Sequence, residues 1–444
     1  MVLEMRKMKD SGIEWIGEIP EGWSVSKVLH CLSMPITDGP HTTPILYDTG
    51  IPFVSAEAVS CGNGRIDFSH IRGYISEKFY KECCQKYIPE IDDIYMIKSG
   101  ATTGRVAIVD TTRVFTIWSP LAVFRCNKDC ILPKFLFYYL QSPAFQKEVE
   151  FGWTFGTQQN VGMRSLEQMK VCVPQLNKQD TIANYLDYQC TQIDLLLQKA
   201  LTSIDEYKKL KQAVITQAVT KGVRGKREMK DSGVEWVSHI PVDWNTIKLK
   251  YCTYIRARLG WRALKADEYV ESGFPFLSAF NIVNNALHFT NLNYINQFRY
   301  DESPEIQLKV GDVLLVKDGA GIGKCAIVEN MPIPSTVNGS IAVISSTSFI
   351  TPKYLYYYFL SEMFQQHIDL LKDGMGVPHL FQSDLKEIKI AFPSKDEQKE
   401  IADYLDAKCA EIDGLIAKKE KLVKELESYK KSLIYEVVTG KREV

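Results

Sequence analysis

The stretch Met8-Lys-Asp-Ser-Gly-Ile-Glu-Trp15 returns, about 220 residues later, as Met229-Lys-Asp-Ser-Gly-Val-Glu-Trp236. Ile19-Pro20 and Trp23 follow the first copy, and Ile240-Pro241 and Trp244 follow the second. The match extends outward. Gly50-Ile-Pro-Phe-Val-Ser-Ala56 pairs with Gly273-Phe-Pro-Phe-Leu-Ser-Ala279, and Lys98-Ser-Gly-Ala-Thr-Thr-Gly-Arg105 with Lys317-Asp-Gly-Ala-Gly-Ile-Gly-Lys324. Pro133-Lys-Phe-Leu-Phe-Tyr-Tyr139 pairs with Pro352-Lys-Tyr-Leu-Tyr-Tyr-Tyr358. The offset is half of the 444-residue chain, so one unit is written twice in tandem as a pseudo-dimer.

Each copy closes on a long helical pattern. Asn177 with Asp180, and Ser394 with Glu397, supply a capping oxygen and an acid three positions on, a helix-start signature. A seven-residue apolar repeat then runs through Leu186, Ile193, Ala200, Tyr207 and Val214, with a second seam at Cys190, Leu197, Ile204 and Ala218. The other copy has Leu405, Ile412, Leu426 and Leu433, with Cys409, Ile416, Val423 and Val437. That period predicts two long helices packed as an antiparallel coiled coil. Lys211 and Lys430 interrupt the seam at the same place, where a lysine either fixes register or, more commonly, snorkels to solvent. Gly222 and Gly440 follow as C-caps.

Before each helix lies a body in which short β-rich runs (Ile51–Val54, Asp93–Ile97, Val106–Val109, Val313–Val316, Ala326–Val328) alternate with Gly/Pro/Asn turns. The aromatic stretches Phe135–Leu140 and Tyr354–Leu360 read as short buried helices. The fold class is α+β: two tandem, pseudo-twofold-related mixed α/β domains separated by two long helices. The expected boundaries are residues 1–176 and 223–393 for the bodies, with 177–222 and 394–444 for the helices. Gly225-Lys-Arg-Glu228 leads into the second copy and Gly440-Lys-Arg-Glu443 ends the chain, so the unit is cyclic in sequence and both termini are expected side by side.

Composition narrows the function. The chain is 45% apolar and 24% charged, which excludes disordered and fibrous classes. Lys+Arg (53) and Asp+Glu (54) leave a net charge of -1, so a uniformly basic polyanion binder is excluded, while a local basic face is not. Apolar runs fall short of a membrane span and the charged start lacks a signal-peptide core. Eleven irregularly spaced cysteines read as reduced thiols. A cytoplasmic protein with no membrane contact is expected.

Catalytic patterns are weak or missing. A base methyltransferase needs an Asp/Asn-Pro-Pro-aromatic loop, and no two prolines are adjacent. Gly319-Ala-Gly-Ile-Gly323-Lys324 imitates a phosphate loop, but is one residue short and has Cys325 where Ser/Thr would hold magnesium. A tight glycine turn is the expected reading. Cys126-x-x-x-Cys130 has no second pair at zinc spacing, and the seven histidines form no nucleophilic triad. A pairing such as Glu387-x-Lys389 is ordinary content of a solvated face. The chain is expected to be non-catalytic, with no cofactor or metal of its own.

The tandem halves resemble the specificity subunit of type I restriction–modification enzymes. The resemblance rests on the Lys-Asp-Ser-Gly-x-Glu-Trp openings, the Lys-x-Gly-Ala-x-x-Gly-Arg/Lys and Pro-Lys-x-Leu-x-Tyr-Tyr segments, and helices ending in Ala218-Val-Thr-Lys-Gly222 and Val437-Val-Thr-Gly440. It covers nearly the whole chain. It implies two target recognition domains, each reading half of a split double-stranded DNA site, held apart by the paired helices. It also implies modification subunits carrying S-adenosylmethionine chemistry and restriction subunits using ATP and Mg. Two similar bodies about a pseudo-twofold axis is also how dimeric regulators read paired half-sites. The alternative is a two-headed coiled-coil scaffold that binds peptides or glycans.

Candidate contact residues come from comparing the copies. Met34–Thr49 against Ile255–Ser272, and Ser60–Lys86 against Val283–Glu305, are unrelated, and variable loops on a shared frame are where different bases would be read. Arg256, Arg258, Trp261 and Arg262 form a basic–aromatic cluster suited to phosphates and guanine edges. His41, Thr42 and Thr43 follow the Asp38-Gly-Pro turn. Thr157, Gln158, Gln159 and Asn160 include amides able to bond adenine, and His379 and Gln382 sit in the matching place.

Overall fold

The computed structural model describes residues 6–154, 159–257, 264, 268–319, 321–371 and 379–444. The chain forms two compact units: residues 1–201 with 421–444, and residues 202–420. Each unit therefore holds one body, one end of the first long helix (Leu176–Lys221) and one end of the second (Lys395–Val438).

The first unit is built on a four-stranded antiparallel sheet ordered Thr37–Asp38, Leu121–Phe124, Ile94–Ile97, Val106–Ile108. Its two central strands are apolar without a break because both faces are covered. Ile94, Met96, Ala122 and Phe124 point into a core shared with the long helices. Tyr95, Ile97, Leu121 and Val123 point into a second, smaller core. A three-stranded sheet (Tyr74–Ile75, Ile51–Val54, Thr116–Ile117) continues the frame, its last pair parallel.

The second unit repeats this plan. Its four strands are Thr253–Arg256, Ile341–Ser346, Val313–Val316 and Cys325–Ile327, and its three-stranded sheet is Asn293–Ile295, Phe274–Leu277 and Thr336–Val337. Val313 and Leu315 face the helix-side core while Leu314 and Val316 face the other. The expected aromatic helices are Pro133–Gln141 and Pro352–Leu360, each opened by its proline.

The heptad seams are buried as their period requires. In the first unit Leu186, Cys190 and Ile193 pack with Leu433, Ile434 and Val437. In the second, Ile215, Ala218 and Val219 pack with Ile401, Leu405 and Cys409. The start of one helix thus meets the end of the other within each unit, the antiparallel pairing. The seam lysines do more than snorkel: Lys430 Nζ meets Asp194 at 2.6 Å, and Lys211 Nζ meets Asp413 at 2.6 Å. Each is a polar pin on register.

Local capping follows the sequence in one copy and departs in the other. The Glu397 N–H donates to Ser394 Oγ at 3.4 Å, as the cap signature predicts. The first helix already begins at Leu176, so Asn177 lies inside it and its Oδ1 accepts from Lys178 N instead. Buried glutamines one turn in, Gln179 and Gln398, anchor both helices to their bodies. Each accepts a backbone N–H at 2.7 Å (Leu132 and Thr351) and donates to two carbonyls. Gly440 adopts φ +71° against Pro20 and Trp23, where a Cβ would lie 2.5 Å from the proline. The opening segment of the first copy does meet the end of the second helix: Lys441 Nζ donates to the Glu18 carbonyl and Tyr435 Oη to that of Trp15, both at 3.3 Å.

Candidate nucleic-acid interface

The frame lysines Lys98 and Lys317 directly follow the matching strands Ile94–Ile97 and Val313–Val316. Their backbones are held identically. The Lys98 N–H donates to Pro120 and its carbonyl accepts from Val161; Lys317 does the same with Ser340 and Leu380, all at 2.8–2.9 Å. Segments of unlike sequence converge on these two points.

In the first unit the turn after Thr37–Asp38 folds over Lys98. Asp38 is fully buried, and its Oδ1 accepts from Lys86 Nζ. Its Oδ2 lies 3.1 Å from His41 Nε2 and 3.3 Å from Lys98 Nζ, without a well-aligned hydrogen bond. Burial opposes ionisation of Asp38, but the Lys86 hydrogen bond and the charges of Lys86 and Lys98 outweigh it and hold the carboxyl below its ordinary range. Only glycine fits at position 39, because a Cβ there would sit 2.1 Å from the Ile117 carbonyl oxygen. His41, Thr42 and Thr43 are exposed beyond this turn. Asn160 bridges to Ser99 and the Gln159 carbonyl accepts from Gly100 at 3.0 Å, so Gln159–Asn160 and the His41 loop flank the same lysine. Thr157 and Gln158 lie outside the described residues.

In the second unit His379 bridges to Asp318, and its Nδ1 bonds Asp318 Oδ1. Lys317 Nζ lies 2.9 Å from Asp318 Oδ2. Gln382 opens the next short helix, Gln382–Glu387. Arg258, Trp261 and Arg262 lie outside the described residues.

Arg256 has a structural partner. Its Nη2 donates to the buried Asp312 at 2.8 Å and to Ser345 Oγ at 2.7 Å, and its Nη1 donates to the carbonyls of Glu305 and Gln307. Asp312 precedes the strand that Lys317 follows, five residues or roughly 16 Å away at ~3.3 Å per residue. The guanidinium thus serves the opposite end of the sheet from His379. The first unit neutralises the equivalent carboxylate, Asp93, from another point in the chain: Arg125, just after the strand Leu121–Phe124, donates through Nε and Nη2 to its two oxygens at 2.8 Å.

The glycine-rich decoy is a turn. Gly323 N–H donates to Val316 and the chain runs on into the strand Cys325–Ile327, with no helix N-terminus to receive a phosphate among the described residues of the segment. Gln365 Nε2 bonds the Gly323 carbonyl at 2.9 Å, as Gln146 bonds Gly104 at 2.9 Å. All eleven thiols are free, and no group of three metal-ligating side chains gathers among the described residues. Among the same residues no helix is long and apolar enough to cross a membrane.

Sequence reasoning singled out the histidines but missed the lysines beneath them. Recurrence at one frame position marked Lys98 and Lys317; nothing marked Lys86, which lies in a variable segment.

A family model for the type I restriction modification DNA specificity domain matches twice, over residues 41–204 and 241–425. The chain belongs to that specificity family. Over 435 residues, 96% of this chain and 95% of the relative, it is 29% identical to a Methanocaldococcus jannaschii protein provisionally named as the MjaX type I restriction enzyme specificity subunit. The MjaVIII specificity subunit of the same organism is 26% identical over 84% of each chain. Among solved structures, a chain from a study of complex assembly and conformational transition of the type I R-M system superposes with a TM-score of 0.72 at 15% identity, covering 95% of this chain and 98% of that one. The HsdS subunit from Thermoanaerobacter tengcongensis gives 0.51 at 15% identity, over 96% and 98%. These two establish the fold of the specificity family for both units.

Proposed function

We propose that the chain is the non-catalytic DNA-recognition subunit of a type I restriction–modification enzyme, each unit reading one half of an asymmetric, bipartite duplex site. The observation that carries this reading is the contrast within the duplication. The sheets, the anchoring glutamines and the frame lysines repeat element by element, while the segments that converge on Lys98 and Lys317 do not. A shared frame with two unlike tips suits two unlike half-sites. The long helices set the spacer and dock modification subunits. S-adenosylmethionine chemistry belongs to those subunits, and ATP and Mg to restriction subunits, all in the cytoplasm.

With a net charge of -1, phosphate contacts fall to local basic groups, with partner subunits completing the enclosure. The test is methylated-base mapping in a host carrying the chain and its modification subunit, paired with duplex binding across a salt series. A bipartite motif with unlike halves and salt-dependent binding is expected. A palindromic motif, or a complex indifferent to duplex sequence, would sink the reading in favour of a scaffold.

A further inference from the structure

Each unit sets a histidine against a carboxylate that is tied to the frame lysine, yet builds the arrangement from different chain positions. In the first unit acid and base share one turn, Asp38 and His41; in the second they come from separate segments, Asp318 and His379. Only the lysine is common, Lys98 and Lys317. The same three side-chain types have therefore been assembled twice in different ways, the carboxylate coming from a variable turn at Asp38 in one unit and from the repeated frame segment at Asp318 in the other.

The chemistry of the pair decides what each histidine presents. An ionised carboxylate only accepts, so the ring nitrogen facing it carries the proton. In the neutral ring the other nitrogen is then an acceptor. For His41 the facing atom is Nε2 and the outward acceptor is Nδ1; for His379 the facing atom is Nδ1 and the outward acceptor is Nε2. The His41 side chain is 71% exposed over a carboxylate that is 0% exposed, and His379 is 38% exposed beside the edge of Phe381. The groups facing His41 are Asp38 and, through it, Lys86 and Lys98; those facing His379 are Asp318 and Lys317.

A fixed acceptor in the major groove accepts from the exocyclic amino groups of adenine (N6) and cytosine (N4), and is repelled by guanine O6 and thymine O4. We infer that His41 and His379 are specificity-determining residues, each selecting an amino-bearing base at one position of its half-site. Asp318, held by Lys317, is the positioning residue that fixes the His379 ring through its hydrogen bond to Nδ1; Asp38, beside Lys98, orients the His41 ring by its charge alone, 3.1 Å from Nε2. This rests on the DNA-recognition reading above.

The test uses the chain assembled with its modification subunit and duplexes of the mapped motif. At each adenine or cytosine the base is replaced by purine or 2-pyrimidinone, which lack the amino group. The wild-type complex should lose roughly 5- to 150-fold in affinity at one position of each half-site. His41→Phe should erase that sensitivity in the first unit's half-site alone, and His379→Phe in the other alone. Asp318→Asn should lower discrimination in its half-site while leaving affinity for the amino-free duplex unchanged, which a merely structural role would not do. Retention of every base preference by both phenylalanine variants overturns the inference, as does a uniform loss across all duplexes, the mark of a phosphate contact. Absence of any wild-type motif would instead sink the DNA-recognition reading itself.

Discussion

Tyr138 Oη donates to Asp187 Oδ1 at 2.7 Å, and Tyr357 donates to Asp406 Oδ1 at the same distance. Lys134 and Lys353 take the other oxygen of each carboxylate. This explains why Pro-Lys-x-Leu-x-Tyr-Tyr is written twice. The proline opens a short helix whose lysine and first tyrosine, four residues apart on one face, clamp an aspartate of the long helix. Burial pushes the Tyr138 phenol well up, so it stays a donor. Tyr138→Phe should cost about 1 kcal/mol, discounted because Asp187 is 38% exposed, read as a lower urea midpoint. Tyr357→Phe should behave alike.

Arg256→Met should act on stability. It leaves the buried Asp312 carboxylate with only Ser345 and the Lys309 N–H, at a cost of about 2–3 kcal/mol. The expected result is a lower unfolding midpoint with both half-site identities unchanged in methylated-site mapping. A relaxed base position at wild-type stability would assign Arg256 to the DNA surface instead.

Gly323→Ala should destabilise by about 1–3 kcal/mol, since φ is +89° and a Cβ would lie 2.5 Å from Gln365 Oε1. Lys324→Ala, at an exposed position, should leave both stability and any ATP-dependent activity of the full enzyme at wild-type levels. A loss of ATP hydrolysis would mean that the turn binds phosphate after all.

His367 stacks on Trp236 with ring centroids 3.4 Å apart, and burial lowers its pKa against a weaker opposing effect of Glu235. A folded-state pKa below the unfolded ~6.5 means the neutral ring is favoured by folding, so this stabilisation is full above that pH and is lost as pH falls through it. Urea midpoints at about pH 5.5 and 7.5 should differ in that direction, and the difference should shrink in His367→Phe.

The first long helix runs 46 residues without interruption, roughly 69 Å at ~1.5 Å per residue. Four residues added beside Ala200 extend it by about 6 Å, comparable to one or two ~3.4 Å base-pair steps. The mapped motif should gain a base pair or two of spacer with both halves intact. An active variant with an unaltered spacer would show that the helix is not the ruler.

Periodic features were legible in the chain alone. The tandem duplication, the two heptad helices, the aromatic helices at Pro133 and Pro352 and the glycine turn at Gly319–Lys324 all follow from repeats, spacing or backbone permissiveness, which are properties of neighbours along the sequence. What the buried carboxylates bind was decided only in three dimensions. Asp93 and Asp312 occupy the same place, yet one takes Arg125 and the other Arg256, from unrelated points in the repeat. Lys211 and Lys430 looked like snorkelling side chains until Asp413 and Asp194, some two hundred residues away, stood opposite them. His41 and His379 carry no shared local motif, and their common pairing emerges only where unlike loops close on one lysine. A desolvated charge must find a partner, and the nearest opposite charge is set by chain packing, which leaves no period in the sequence.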